Sequence, residues 1–477
     1  MKQKINQSLF PLTLFLIFVI SFGMLYIKNV GPKSLGDNDM HLYNTYLVAS
    51  GKYPVSPKFN VEKSNFSVKK MQVKVPKNVA VSDGQDGSYE KYVMSPFKTD
   101  PNKGLQYISS KSSNTTPTKI GVRTQYPPLN WGIQALGFKT GSILHKSVYT
   151  SWQFARVANL TLFIIFMMIA IILIPKGKFI LSLIGSFPLT VFLASSLSAD
   201  AVNISVSSLF VAYVLHLRNK SLNENQSIKL SQMLVLGAFV IVFFNLKVAY
   251  VPMLILIFLI PNYFYSMRNK ILSMGASGLI GLSSYLMWSH KYSSILYGFP
   301  NSHKNFQFLL HHLFQGIFAT FVYILTYPFS VISQMYSDYG SMLIVVTLFL
   351  ISFILYTLFI LNHSRFSSES ANYSTNQKII YYWPIILSVL AYLMVMFLTV
   401  FVLLATWTKI YSGGIGQTYR ITDIQGFQAR YLLPLMPMLA TVYAVSDEYV
   451  ILSSKNSDQM NLSIKKVILK FVHKLRK

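Results

Sequence analysis

The chain has 477 residues, of which 52% are hydrophobic, 15% aromatic and only 12% charged, too apolar for an ordinary water-soluble domain. It contains no cysteine, which excludes a disulfide framework, a thiolate metal site and a cysteine nucleophile. A formal net charge of +27 would suggest nucleic acid in a soluble protein, but no nucleic-acid-binding motif accompanies it, so the basic residues read as membrane-surface charge with no nucleic acid partner.

The first apolar run, Leu9–Ile27, follows Met1-Lys2-Gln3-Lys4 and is long enough to cross a bilayer. It lacks a small-x-small cleavage site, so it reads as an uncleaved span (residues 1–27) with its N-terminus in the cytoplasm. A polar segment, 28–150, comes next and holds 17 lysines and arginines against 7 carboxylates. Within it "MHLYNTYLVASG" reads as a short amphipathic helix ended by Gly51, and "FSVKKMQVKVPKNVAV" alternates partly like strand. "PLNWGIQALGFKTGSILH" then recovers helical periodicity. The segment is expected to be an extracytoplasmic loop domain: two interfacial helices flanking a small basic insertion, 52–123, that serves as an accessory for substrate or anionic polymer.

From 151 to 446 the sequence is almost continuous membrane core. Expected spans are Trp152–Ile174, Phe179–Leu197, Ala201–Leu217, Met233–Leu246, Val248–Tyr265, Ile271–Trp288, Ser341–Leu361, Ile380–Ala405 and Tyr431–Val445. Gly316–Ser333 is apolar too, but contains Pro328 and breaks the topological count, so it reads as interfacial or re-entrant. The connections "PKGK", "RNKSLNENQSIK", "MRNK" and "NHSRFSSESANYSTNQK" are basic, as is the tail 447–477, and all are expected in the cytoplasm. The fold class is therefore an all-α polytopic membrane protein of about 10–12 transmembrane helices with a small α+β extracytoplasmic insertion after the first span. The chain sits in the cell membrane with both termini cytoplasmic.

Carboxylates are scarce, 15 in all, so their placement is informative. Asp37, Asp39 and His41 lie just past the first span. A carboxylate there can take a proton from a hydroxyl acceptor or hold a divalent metal, with Asp37 or Asp39 as ligand. The plainer alternative is that one aspartate caps the helix near Met40. Asp200 stands in "SSLSAD" between two spans, as a cap or a site residue. Lys247 interrupts an apolar tract at an outer turn, where a phosphate or simple snorkelling would account for it. Gln428 and Arg430 precede the last span; such an arginine can grip phosphate oxygens or anchor the helix at the interface. By the expected topology Asp37, Asp200, Lys247 and Arg430 share the extracytoplasmic face.

In order along the chain stand Asp37-Asn38-Asp39-Met40-His41, Tyr126-Pro127-Pro128, Arg156, Ser196-Leu197-Ser198-Ala199-Asp200 and Gly426-Phe427-Gln428-Ala429-Arg430-Tyr431-Leu432-Leu433-Pro434. This series resembles the bacterial membrane proteins grouped as the domain of unknown function numbered 2142. Asn38 departs from that family's second acid, which Asp39 supplies one position later, and Ala429 replaces a glycine. The family in turn is similar to GT-C glycosyltransferases, which use polyprenyl-phosphate sugars and carry an essential acid in the first external loop. The resemblance implies a GT-C-like membrane glycosyltransferase that moves a sugar from a polyprenyl-phosphate donor to a cell-wall or surface glycan at the extracytoplasmic face. It gives Asp37, Asp39 and His41 the chemistry, and Tyr126, Arg156, Asp200, Gln428 and Arg430 the substrate, to which the residue reading adds Lys247 as a holder of the donor phosphate. The alternatives are a flippase or exporter of lipid-linked glycans, expected to bury charge at mid-membrane, and a glycan polymerase, expected to carry its large outer loop later in the chain.

Overall fold

The computed structural model describes residues 2–29, 38–53, 59–62, 65–68, 72–76, 117–121, 126–223, 227–292, 302–338, 375–408, 424 and 426–441. Asp37, the expected span Ser341–Leu361 and the tail 447–477 lie outside the described residues.

Helix α1, Lys2–Asn29, carries the apolar stretch Leu9–Lys28. Helix α2, Asn38–Ala49, stops where the backbone turns left-handed at Gly51 (φ 68°), a conformation glycine adopts without a Cβ clash. Two antiparallel ladders follow: β1, Phe59–Glu62, with β2, Asn65–Val68, and β3, Gln72–Pro76, with β4, Pro117–Gly121. The remainder of the expected insertion is outside the described residues.

Pro127 and Pro128 then set a 3-10 turn, Pro128–Trp131, the proline at its start losing no hydrogen bond it would otherwise make. It leads into α3, Gly132–Ile143, which doubles back along α4, Val148–Leu173. Two glycines one turn apart let these helices approach closely. A Cβ at Gly137 would stand 2.5 Å from the Phe154 carbonyl oxygen, and one at Gly141 would stand 2.6 Å from Ser151 Cα. Both obstacles are backbone and cannot swing aside. Gly141→Leu is therefore expected to destabilise the folded protein by about 1–3 kcal/mol, read as a lower melting temperature in detergent. An unchanged melting temperature would mean that α3 is not clamped to α4.

The expected span Phe179–Leu197 is two short helices, α5, Lys178–Ser186, and α6, Pro188–Ala194. Pro188 has no N–H to continue the ladder, and it holds Phe187 extended at ψ 131°. Helix α7, Asp200–Asn223, is the most enclosed candidate span and lies against α4, α6 and two long 3-10 helices. Helix α8, Leu230–Asn245, precedes the first of these, Val248–Leu259; the second is Ala429–Leu439. Tyr250, Met253, Leu256 and Leu259 are all buried, a spacing of three that fits three residues per turn. Both expected spans at Val248–Tyr265 and Tyr431–Val445 thus differ from α-helix. Pro252 in one, and Pro434 and Pro437 in the other, remove the donors that an α-helical ladder requires.

Helix α9, Met267–Tyr292, leaves most of its apolar surface on the outside, as a lipid-facing helix does. Helices α10, Ser302–His311, and α11, Leu313–Asp338, meet at a 108° bend where Gly316–Ser333 was expected to lie along or re-enter the membrane. Helix α12, Thr375–Thr406, closes the bundle. Among the described residues five helices are long and apolar enough to cross a bilayer, or six if the bent pair is one span. At ~1.5 Å per residue the 26-residue α4 reaches about 39 Å, beyond the ~30 Å hydrocarbon core.

Candidate functional site

One cleft lies where the start of α7, the end of α8 and the starts of both long 3-10 helices meet α2 and the Pro127–Trp131 turn. It is an open cleft, about 600 Å³ when the solvent space at its mouth is counted, lined by Met40, His41, Asn44, Tyr126, Asn130, Trp131, Ala199, Asp200, Asn203, Lys247, Arg430 and Tyr431.

Each wall has a local cause. Asp200 opens α7, where the unpaired N–H groups of the first turn favour a carboxylate. The turn before it is built by serines: Ser196 Oγ accepts from the Ser198 N–H, and Ser198 Oγ from the Asp200 N–H. Helix α4 braces this turn from one face. Asn159 Nδ2 donates to the Ser196 carbonyl at 2.9 Å and Arg156 Nε to the Ser195 carbonyl at 2.6 Å. Asn130 fixes the opposite wall. Its amide nitrogen donates to the Pro127, Asn245 and Leu246 carbonyls, pinning the end of α8 where Lys247 emerges.

Arg430 enters from the second 3-10 helix and pairs with Asp200, Nε to Oδ2 3.4 Å. The chain reaches it through Gly426, whose φ of 89° only glycine takes without strain, against the Trp407 ring. Lys247 points its ammonium at the Tyr431 ring, 3.8 Å from the centroid, and at Tyr250, 5.3 Å. Among the described residues these rings are its contacts; no carbonyl or carboxylate takes its three N–H groups. Burial pulls the Lys247 amine down to about 8, with Asp200 opposing the shift and Arg430 adding to it.

The remaining wall is aromatic. Trp131 packs against Tyr126 and Tyr53, and the Tyr53 hydroxyl donates to the Tyr126 carbonyl. Trp131 Nε1 donates to His41 Nδ1 at 3.2 Å. In neutral His41 this places the proton on Nε2, so the ring presents a donor there rather than a base.

Of the residues expected from the sequence, the structure thus brings His41, Tyr126, Asp200, Lys247 and Arg430 to one cleft. Asp39 lies in the first turn of α2, two residues before His41; Asp37 is outside the described residues. Gln428 is exposed and is absent from the cleft lining, its carbonyl accepting from the Tyr431 N–H. Arg156 is also absent from the lining. It is 2% exposed and donates to the Tyr26, Ile27 and Ser195 carbonyls, with its guanidinium over Trp152. Those bonds make it a brace between α1 and the serine turn, rather than the ligand the sequence suggested. Asn130, Trp131, Asn203 and Tyr431 were missed. Asn130 and Trp131 stand one residue beyond the Tyr-Pro-Pro motif, yet nothing in the residue type marks an asparagine as buried until α8 is packed on it. Among the described residues no three His, Asp or Glu side chains converge as metal ligands.

Among the described residues the cleft carries one carboxylate and two cations, at one end of a helical bundle built to sit in lipid. No curated protein and no solved structure matches the chain. A family profile described as "Predicted membrane protein (DUF2142)" matches residues 9–439, nearly the whole chain and every element that builds the cleft. The chain belongs to the DUF2142 family of predicted membrane proteins.

Proposed function

We propose that this protein is a membrane glycosyltransferase which takes a sugar from a polyprenyl-phosphate donor and places it on a glycan of the cell envelope. The observation that carries the reading is the pair of cations, Lys247 and Arg430, that line the cleft, with Asp200 beside Arg430. A polyprenyl-phosphate sugar is a phosphodiester with one negative charge. When the bond from the anomeric carbon to phosphate oxygen breaks, the leaving polyprenyl phosphate gains a second negative charge. Fixed cations at that oxygen stabilise the transition state more than the bound donor.

The other half of the reaction needs a base. The acceptor hydroxyl attacks the anomeric carbon as its proton passes to a carboxylate at the head of α2, Asp37 or Asp39, and the sugar inverts. His41 lies beside that carboxylate pair in sequence and lines the cleft. A divalent metal held by Asp37 or Asp39 is the alternative role for those acids.

The orientation supports an outward-facing site. The basic stretches Pro175–Lys178, Arg218–Asn223, Ser227–Lys229 and Met267–Lys270 fall at the opposite ends of the helices from the cleft, and basic loops are retained in the cytoplasm. Membranes containing the protein, supplied with radiolabelled polyprenyl-phosphate hexoses and envelope polymer, should move label from the lipid fraction into polymer. Label that stays in lipid for every donor, with folded protein present, would overturn the reading.

A further inference from the structure

Asn130 holds a second, unused hydrogen-bonding group. It is 1% exposed and lines the cleft. Its orientation is set without ambiguity, because three backbone carbonyls take its amide nitrogen and a flipped amide would face them with oxygen. That leaves Oδ1 buried with no hydrogen-bond partner. A buried acceptor left unpaired is costly, and proteins retain one chiefly where a ligand or water completes it.

The donor that completes it must fit its neighbours. Tyr126, half-buried, gives aromatic surface on the same wall with the buried Trp131 packed against it, and Lys247, which lines the cleft, follows the end of α8 that Asn130 itself pins. Aromatic faces suit the C–H faces of a pyranose, an amide oxygen suits a hydroxyl, and a cation suits the phosphate attached to that ring. A carboxylate-bearing sugar is disfavoured at an acceptor oxygen.

We infer that Asn130 Oδ1 accepts a hydrogen bond from one ring hydroxyl of the donor sugar, which makes Asn130 a specificity residue for a neutral hexose. The inference rests on the donor class proposed above. Asn130 cannot be tested cleanly by substitution, since every replacement also releases the carbonyls of Asn245 and Leu246. The ligand is altered instead. Purified full-length protein in nanodiscs is titrated with a short-chain polyprenyl-phosphate glucose, its galactose and mannose epimers, and the 2-, 3-, 4- and 6-deoxy analogues of the tightest binder. Removal of one hydroxyl is expected to weaken binding roughly 10- to 100-fold, with the other positions nearly neutral. A methyl polyprenyl phosphodiester, equal in charge but without the sugar, should bind no better than that deoxy analogue. If all deoxy analogues bind like the parent, Asn130 is completed by water and the inference is wrong, while the transferase reading stands. If no hexose donor binds but the methyl diester does, the sugar subsite is refuted and only a lipid phosphate site remains. If neither binds, the donor class itself is wrong and the inference falls with it.

Discussion

Lys247→Met is expected to cut the proposed sugar transfer by about 10²-fold or more while raising the melting temperature of the protein at neutral pH. The first effect follows from the position of the ammonium. It contacts only the Tyr431 and Tyr250 rings among the described residues, so its N–H groups remain for a phosphate oxygen, and loss of one fixed stabiliser of developing charge has that scale. The second follows from linkage. Burial lowers the amine to about 8, below its ordinary value of 10.5 in an unfolded chain. Between those limits the unfolded state binds more protons, so stability rises with pH from about 8 upward. Below 8 the folded protein carries the full cost of a buried ammonium, and methionine, similar in length and uncharged, removes it. Transfer by the wild type should fall as pH rises through about 8 because the ammonium is lost. Transfer assays on membranes and thermal unfolding across pH measure both. A variant that transfers normally, or that melts lower at pH 7, would remove Lys247 from the site.

The second large effect concerns Asp37 and Asp39, the acids on either side of Asn38. An aspartate that merely caps a helix can be replaced by asparagine almost without loss, because the two cap about equally well. A general base cannot, and its loss typically lowers rates by ~10²–10⁴. Asp37→Asn is accordingly expected to reduce envelope-glycan modification by a factor in that range at normal protein level. Asp39→Asn is the partner measurement, because Asp39 is the nearest other acid and could serve in place of Asp37. Normal modification in both single variants would exclude the carboxylate mechanism and favour transport of a lipid-linked glycan.

The helical, membrane-embedded character was legible from the apolar runs, and the shared end of Asp200, Lys247 and Arg430 from the alternation of spans; Asp37, expected with them, lies outside the described residues. Charge in a chain this apolar is rarely accidental, and alternating spans carry such residues to one side or the other. What could not be read was the use of each charge. Arg156, Arg218 and Lys270 look alike in sequence, as cations in apolar surroundings. Packing gives them backbone work: Arg218 donates to the Leu259 carbonyl, Lys270 to that of Ile260, and Arg156 to the ends of α1 and α6. Each satisfies carbonyls that a helix end leaves open. Only three-dimensional placement separates these from Lys247, which has rings in place of carbonyls. The long 3-10 helices were hidden for a different reason. Hydropathy reports that a segment is apolar, not how it is wound, and proline was read only as punctuation.

The winding matters to the cleft because Lys247 and Arg430 each sit at the start of one of those 3-10 helices. A 3-10 helix rises ~2.0 Å per residue and an α-helix ~1.5 Å, so rewinding the 11 residues Ala429–Leu439 as α would shorten them by about 5 Å. That contraction would draw the guanidinium of Arg430 well out of reach of Asp200. Pro434 and Pro437 oppose it, since each would collide with the carbonyl four residues earlier in an α-helix. The prolines therefore act as spacers of fixed gauge. They hold a cation at the height of its counter-charge from deep within the bundle, so the reach of the site is set by residues that never touch it.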